Sequence, residues 1–363
     1  MNYLKSTKIN HGSTCGPDAA ENSVGLTSWQ IPTSFPVPFI ARINRYTGRA
    51  SQRFWEWIEL RDLAPTRRSK ERLRRSGIEL ASSYCWPWAD HATLLEGMKW
   101  MFLFFRFDDQ MEEGVAQRDF ARVERAAEEI VNVLHGGRPV SSGTLIRELH
   151  RVWLHTKAER PDDWVGAFRD HYSDLVRSYN SQARRNYNSS MTMPMTEYET
   201  FRQSSYGMEW VYDFMEAANT TVGAGYIPSS IRRSPTMSTI RWAASLQQAL
   251  LNDIFSAPRE SFQRRTVNAV MIFQEQYHCS PQQAVRRVLD RMAELLSIYQ
   301  VACADIRNET GYRQPGTATT LDTLLANIDA IIGGNHDWHH IVMRYATDDV
   351  SSADGAYTYP DDM

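Results

Sequence analysis

The chain has 363 residues, a formal net charge of -3 and four cysteines. Its length can bury one large core or two modest ones, and its ordinary charged fraction excludes compositional disorder. Slight acidity gives no global attraction to nucleic acid or anionic membrane. Cys15, Cys85, Cys279 and Cys303 form no CxxC pair, so reduced thiols in a cytosolic protein are the simplest reading.

In chain order, residues 1–30 are polar, small and glycine-bearing and read as a flexible arm. They lack the apolar stretch of a signal peptide, and no run approaches the roughly 20 apolar residues of a membrane span, so a cytoplasmic protein is expected. Three prolines between Pro32 and Pro38 predict an extended strap that meets the first helix after Asn44, near Tyr46 to Leu63. The basic run from Pro65 to Gly77 is interrupted by Glu71 and carries no aromatics, which favours a solvated helix face over a phosphate or nucleic-acid patch. Helical periodicity continues from Leu94 through Glu112, from Phe120 to His135, and over 141–157, 161–185, 195–222, 235–256, 260–277, 281–307 and 319–346. No convincing alternating strand, internal repeat or linker splits this region. An all-α single domain over 31–346, an antiparallel helical bundle around a core or cavity, is the economical architecture. The acidic stretch 347–363 reads as a solvated tail.

Two constellations carry chemistry. In WMFLFFRFDDQMEEG, Trp100, Leu103, Phe104, Phe107 and Met111 recur at helical spacing, a buried helix. Asp108 and Glu112 stack four apart with Asp109 beside them, and Phe104 and Phe105 lie about one turn earlier. Clustered carboxylates need a neutralising cation, and an all-oxygen set without His or Cys suits Mg²⁺. In NDIFSAPRE, Asn252, Ser256 and Glu260 at i, i+4 and i+8 share a face and offer a second hard-cation set. Pro258 predicts a kink or a distorted turn between Ser256 and Glu260. Taken singly, each set also fits a solvated polar helix face; the two together in an aromatic-rich α protein do not.

These motifs, with GNHDWHHIVMRY at 334–345, resemble class I terpene synthases, specifically the single-domain microbial cyclases, across nearly all of the chain after residue 31. The resemblance implies a bundle around a central apolar cavity, with Asp108 as the main ligand of the aspartate-rich motif and Asp109 and Glu112 as weaker ligands or acceptors behind it. Glu112 departs from the more usual Asp. It further implies Asn252, Ser256 and Glu260 on another Mg²⁺ of a three-ion cluster. Arg202, Arg259, Arg344 and Tyr345 would bind the substrate diphosphate, with Arg202 as its sensor. Phe104, Phe105 and Trp338, with Met101, are the candidate cavity wall.

The implied reaction is ionisation of farnesyl diphosphate and cyclisation to a sesquiterpene, in secondary metabolism. Geranylgeranyl diphosphate and a diterpene are the runner-up. Chain-elongating prenyl transferases would show two DDxxD motifs. The HDWHH segment, His336, Asp337, His339 and His340, raises a zinc or phosphohydrolase alternative, and an α-helical interaction module is the non-enzymatic one. A prenyl diphosphate is the expected partner, nucleic acid and a membrane span are not, and homodimerisation stays open.

Overall fold

The computed structural model describes residues 30–345 and Met363, apart from residues 117–118, 142, 159, 189–192, 263–266 and 315. The expected arm and acidic tail lie almost wholly outside the described residues. Fourteen α-helices and two short 3-10 turns are described, with no strand among these residues. The chain runs through α1 (Thr47–Leu60), α2 (Arg67–Ser76), α3 (Ile78–Cys85), α4 (His91–Ala116), α5 (Phe120–Leu134), α6 (Thr144–Lys157) and α7 (Asp162–Asn188). It continues through α8 (Met195–Tyr206), α9 (Met208–Asn219), α10 (Ser229–Arg232), α11 (Pro235–Phe262), α12 (Ala269–Tyr277), α13 (Pro281–Ile306) and α14 (Thr317–Ile341).

Local chemistry sets several boundaries. Thr66 opens α2 with a reciprocal cap to Ser69, and Ser280 opens α13 with one to Gln283, followed by Pro281 in the first turn. Gly77 adopts a left-handed conformation, φ 58°, which ends α2 and starts α3 at once. The helical stretch expected over 195–222 divides at Gly207, φ 79°, where an added Cβ would lie 2.9 Å from Leu175 Cδ1. Helix α3 was not anticipated, because it follows α2 with no polar linker between them. The final helix stops at Ile341 rather than 346.

Helix α4 runs through the centre of the core. One stripe, Trp100, Leu103, Phe107 and Met111, is almost fully buried. Trp100 packs edge-on against Phe168 and Tyr172 of α7 and donates its indole N–H to Thr156 of α6 at 2.8 Å. Trp153 and Trp164 likewise give their N–H groups to the carbonyls of Leu134 and Asp213. The indoles of Trp100, Trp153 and Trp164 are therefore buried with their donors satisfied. Arg241 of α11 is buried between Asp213 and Glu216 of α9, at 2.8 and 3.2 Å, and joins those two helices.

The proline strap lies along α11 and α14: Phe35 packs on Phe255, His336 and His340, and Asn44 then anchors to the carbonyls of Trp86 and Ala89. Gly333 makes this approach feasible, since a Cβ there would stand 2.5 Å from the Phe39 carbonyl oxygen. Gly333→Ala is expected to displace the strap and lower stability by about 1–3 kcal/mol, read by thermal unfolding. An unchanged midpoint would show that the strap yields freely.

Candidate active site

The face of α4 next to the buried stripe opens on a cavity of about 1040 Å³, counting the space at its mouth. Met101, Phe104, Phe105, Asp108 and Glu112 line it, at i, i+3, i+4, i+7 and i+11, so the helix passes from apolar floor to carboxylate rim along one side. Phe104 belongs to this face rather than to the buried stripe. Across the cavity, α11 presents Gln248, Asn252, Ser256, Arg259 and Glu260. The remaining wall comes from α3, the α8–α9 break and α14 with the segment after it, including Arg202, Trp338, Arg344 and Tyr345. Every sequence-predicted site residue except Asp109 lines this one cavity. Pro258 does not disperse the triad: α11 continues through it to Phe262, and Glu260 stays on the cavity face. Only one backbone donor is lost, in the final turns of a long helix.

Asp108 and Asp109 part company. Asp108 is at the rim, its side chain 28% exposed, and accepts from Arg344 at 3.0 Å. Asp109 turns away from the cavity and is buried between two guanidiniums, accepting from Arg72 at 2.9 and 3.2 Å and from Arg344 at 3.0 Å. Burial raises its carboxyl, but Arg344 and then Arg72 outweigh that and hold it well below the usual carboxylate range. Among the described residues no three His, Cys, Asp or Glu side chains converge as a metal set. The Ser256 hydroxyl and the Asn252 amide of α11 line the same cavity as the Asp108, Glu112 and Glu260 carboxylates.

The expected solvated face of residues 65–77 is one side of α2, where Arg67, Arg68, Glu71 and Arg74 are exposed, and the other side packs inward. Ser69, Leu73 and Ser76 are buried, Arg72 reaches Asp109, and Ser76 accepts from Arg344 at 3.1 Å. The Arg344 guanidinium also sits 4.6 Å over the Phe105 ring.

On α11, the orientation of Asn252 follows from its neighbours. His339 is buried, which pushes it down to about 3 and leaves it neutral. Its Nδ1 lies 2.7 Å from the Asn335 carbonyl oxygen and must donate, so its Nε2 accepts. The Asn252 nitrogen, 3.1 Å from that Nε2, is then the donor; it also donates to the Tyr345 hydroxyl at 2.7 Å. The Asn252 oxygen is thereby turned towards Arg202, which donates to it at 2.9 Å. The HDWHH segment thus has structural work: His339 orients Asn252, while His336 and His340 pack against Phe35.

Arg202 is itself anchored by Asp253, at 3.0 Å. Burial pushes the Asp253 carboxyl up to about 6 against the pull of Arg202, and it also accepts from the Tyr198 hydroxyl and the Ala269 N–H. Arg72, Asp253 and Asn268 are the contributors that motif reading passed over, and His339, read there as part of a zinc alternative, contributes by orienting Asn252. The adjacency of Asp253 to Asn252 was the one available signal.

A rim of oxygen donors and guanidiniums above an aromatic-walled, helix-enclosed cavity is the arrangement of a class I terpenoid cyclase. The chain belongs to the terpene synthase family: residues 99–297 match the family model described as terpene synthase family 2, C-terminal metal binding. A (2Z,6E)-hedycaryol synthase from Kitasatospora setae is 36% identical over 332 residues, covering 90% of this chain and 96% of that protein. A (+)-T-muurolol synthase from Roseiflexus castenholzii, named as (2E,6E)-farnesyl diphosphate cyclizing, is 25% identical over 85% of this chain and 92% of its own length. The solved structure of a hedycaryol synthase in complex with HEPES superposes with a TM-score of 0.75 at 32% identity, covering 86% of this chain and 99% of that one. Among the described residues no helix is long and apolar enough to cross a membrane.

Proposed function

We propose that residues 31–346 form a Mg²⁺-dependent cyclase that ionises farnesyl diphosphate and closes the resulting cation to a sesquiterpene. The observation that carries this reading is the pairing, across one cavity mouth, of Asp108 and Glu112 on α4 with Asn252, Ser256 and Glu260 on α11, above Phe104, Phe105, Met101 and Trp338. The names of the hedycaryol and T-muurolol synthases support the fifteen-carbon substrate.

The donor set fits Mg²⁺, being oxygen throughout and drawn from two rigid helices. Asp108, Asn252, Ser256 and Glu260 would hold three ions with help from Glu112, and bound Mg²⁺ would supply positive charge to a departing diphosphate. Asp109 acts on Arg344 rather than on metal. Arg202, Arg259, Arg344 and Tyr345 hydrogen-bond the diphosphate, whose affinity for them rises as the carbon–oxygen bond breaks and its electron pair leaves with oxygen. Asp253 holds Arg202 in place for this task. The aromatic faces stabilise the cation by about 0.5–2 kcal/mol each and present no nucleophile, and the cation survives only while water is kept from the cavity.

The test is incubation of the purified protein with geranyl, farnesyl or geranylgeranyl diphosphate, with Mg²⁺ or with a chelator, followed by mass spectrometry of the organic extract. A cyclic fifteen-carbon product from farnesyl diphosphate, lost with the chelator, is expected. No cyclic product from any substrate would overturn the function. A product from geranylgeranyl diphosphate alone would overturn the chain length.

A further inference from the structure

Asn268 is fully buried at the first turn of α12, and its carboxamide is shared between two tasks. Its oxygen caps the helix, accepting from the Val270 N–H at 2.9 Å. Its nitrogen points back to α11, donating to Glu260 Oε2 at 3.0 Å and to the Asp253 carbonyl at 3.0 Å, with Ser256 Oγ at 3.4 Å. One amide group therefore touches two of the three α11 donors and the backbone between Asn252 and Ser256.

We infer that Asn268 is a positioning residue that fixes Ser256 and Glu260 for cation binding. The inference rests on the proposed reading of those residues as ligands. The amide has two N–H bonds. One holds a single oxygen of Glu260, which sets the rotamer and leaves the other oxygen for a cation. The second is divided between the Asp253 carbonyl and the more distant Ser256 hydroxyl. This matters where Pro258 has removed a backbone hydrogen bond from the same turns, so that side-chain contacts carry more of the local order. The N-terminus of α12 is tied to the same place through the Ala269 N–H to Asp253, at 2.6 Å, so the amide is held from both sides. Groups behind metal ligands orient them, and their loss weakens metal affinity by about 10–100-fold.

Asn268→Ser and Asn268→Thr keep a helix-capping oxygen and remove the amide donor. Two readouts are followed: the shift in thermal unfolding produced by MgCl₂ with inorganic diphosphate, and the Mg²⁺ concentration giving half-maximal turnover. Both variants are expected to unfold near the wild-type temperature without ligand, to require about tenfold more Mg²⁺ for the same shift, and to move half-maximal turnover in parallel. Asn252→Ala is the control for the site itself. Wild-type Mg²⁺ dependence in the 268 variants, with a loss in Asn252→Ala, would overturn the role of Asn268 alone. Wild-type dependence in Asn252→Ala would overturn the α11 metal reading instead. Collapse of both 268 variants without ligand would assign the residue to holding α12 and would also overturn the inference.

Discussion

Asp108→Asn is expected to lower kcat by about 10²–10³-fold, the cost of removing one preorganised group that answers charge developed in the transition state, while leaving the fold nearly unchanged. The carboxylate stands at the cavity rim, partly exposed, and its ion pair is with a guanidinium that keeps Asp109 and Ser76 as partners. A pair so placed contributes at most about 1 kcal/mol. Steady-state kinetics at saturating Mg²⁺ and farnesyl diphosphate, beside thermal unfolding of the same preparation, separate the two effects. Turnover within a few-fold of wild type would remove Asp108 from the metal site. Glu112→Gln is expected to be milder, because its longer side chain, one turn beyond Asp108 on α4, has one more rotatable bond to order.

Helix period and the two acidic motifs were enough to read the bundle, the cavity face of α4 and the α11 triad, because those residues are regular neighbours on single helices. What escaped was set by tertiary contact. Asp108 and Asp109 are chemically identical and point about 100° apart on the helix, but that the second is buried as an ion follows only from Arg72 of α2 and Arg344 of the segment after α14, which meet it there. The basic run of α2 has the solvated side that its charge count implies, but charge count does not say that Arg72 on its other side meets a buried acid. Asn268 lies outside any motif, and its contacts to Glu260 and Ser256 exist only because α12 folds back against α11. Pro258 leaves Glu260 on the cavity face, since α11 runs on through it to Phe262 with the loss of one backbone hydrogen bond.

The inward carboxylate gives the largest expected effect on stability. Asp109→Asn removes the charge shared by Arg72 and Arg344, and loss of one member of a buried pair costs about 3–5 kcal/mol because the remaining charges stay desolvated. Arg344 retains Asp108, so the lower end of that range applies. The pH dependence has a definite sign. The native carboxyl is held below its ordinary value by the two arginines, so its contribution is fully present above about pH 4, where the unfolded side chain is also ionised, and fades as pH falls from there towards the depressed native value. Wild type and Asp109→Asn should therefore differ by a constant amount in urea unfolding at pH 7, 6 and 5, and converge below pH 4. A gap that stayed constant down to pH 3 would assign the loss to altered packing rather than to the charge. With no gap at pH 7, the Arg72–Asp109–Arg344 cluster would not hold α2 and the segment after α14 against α4.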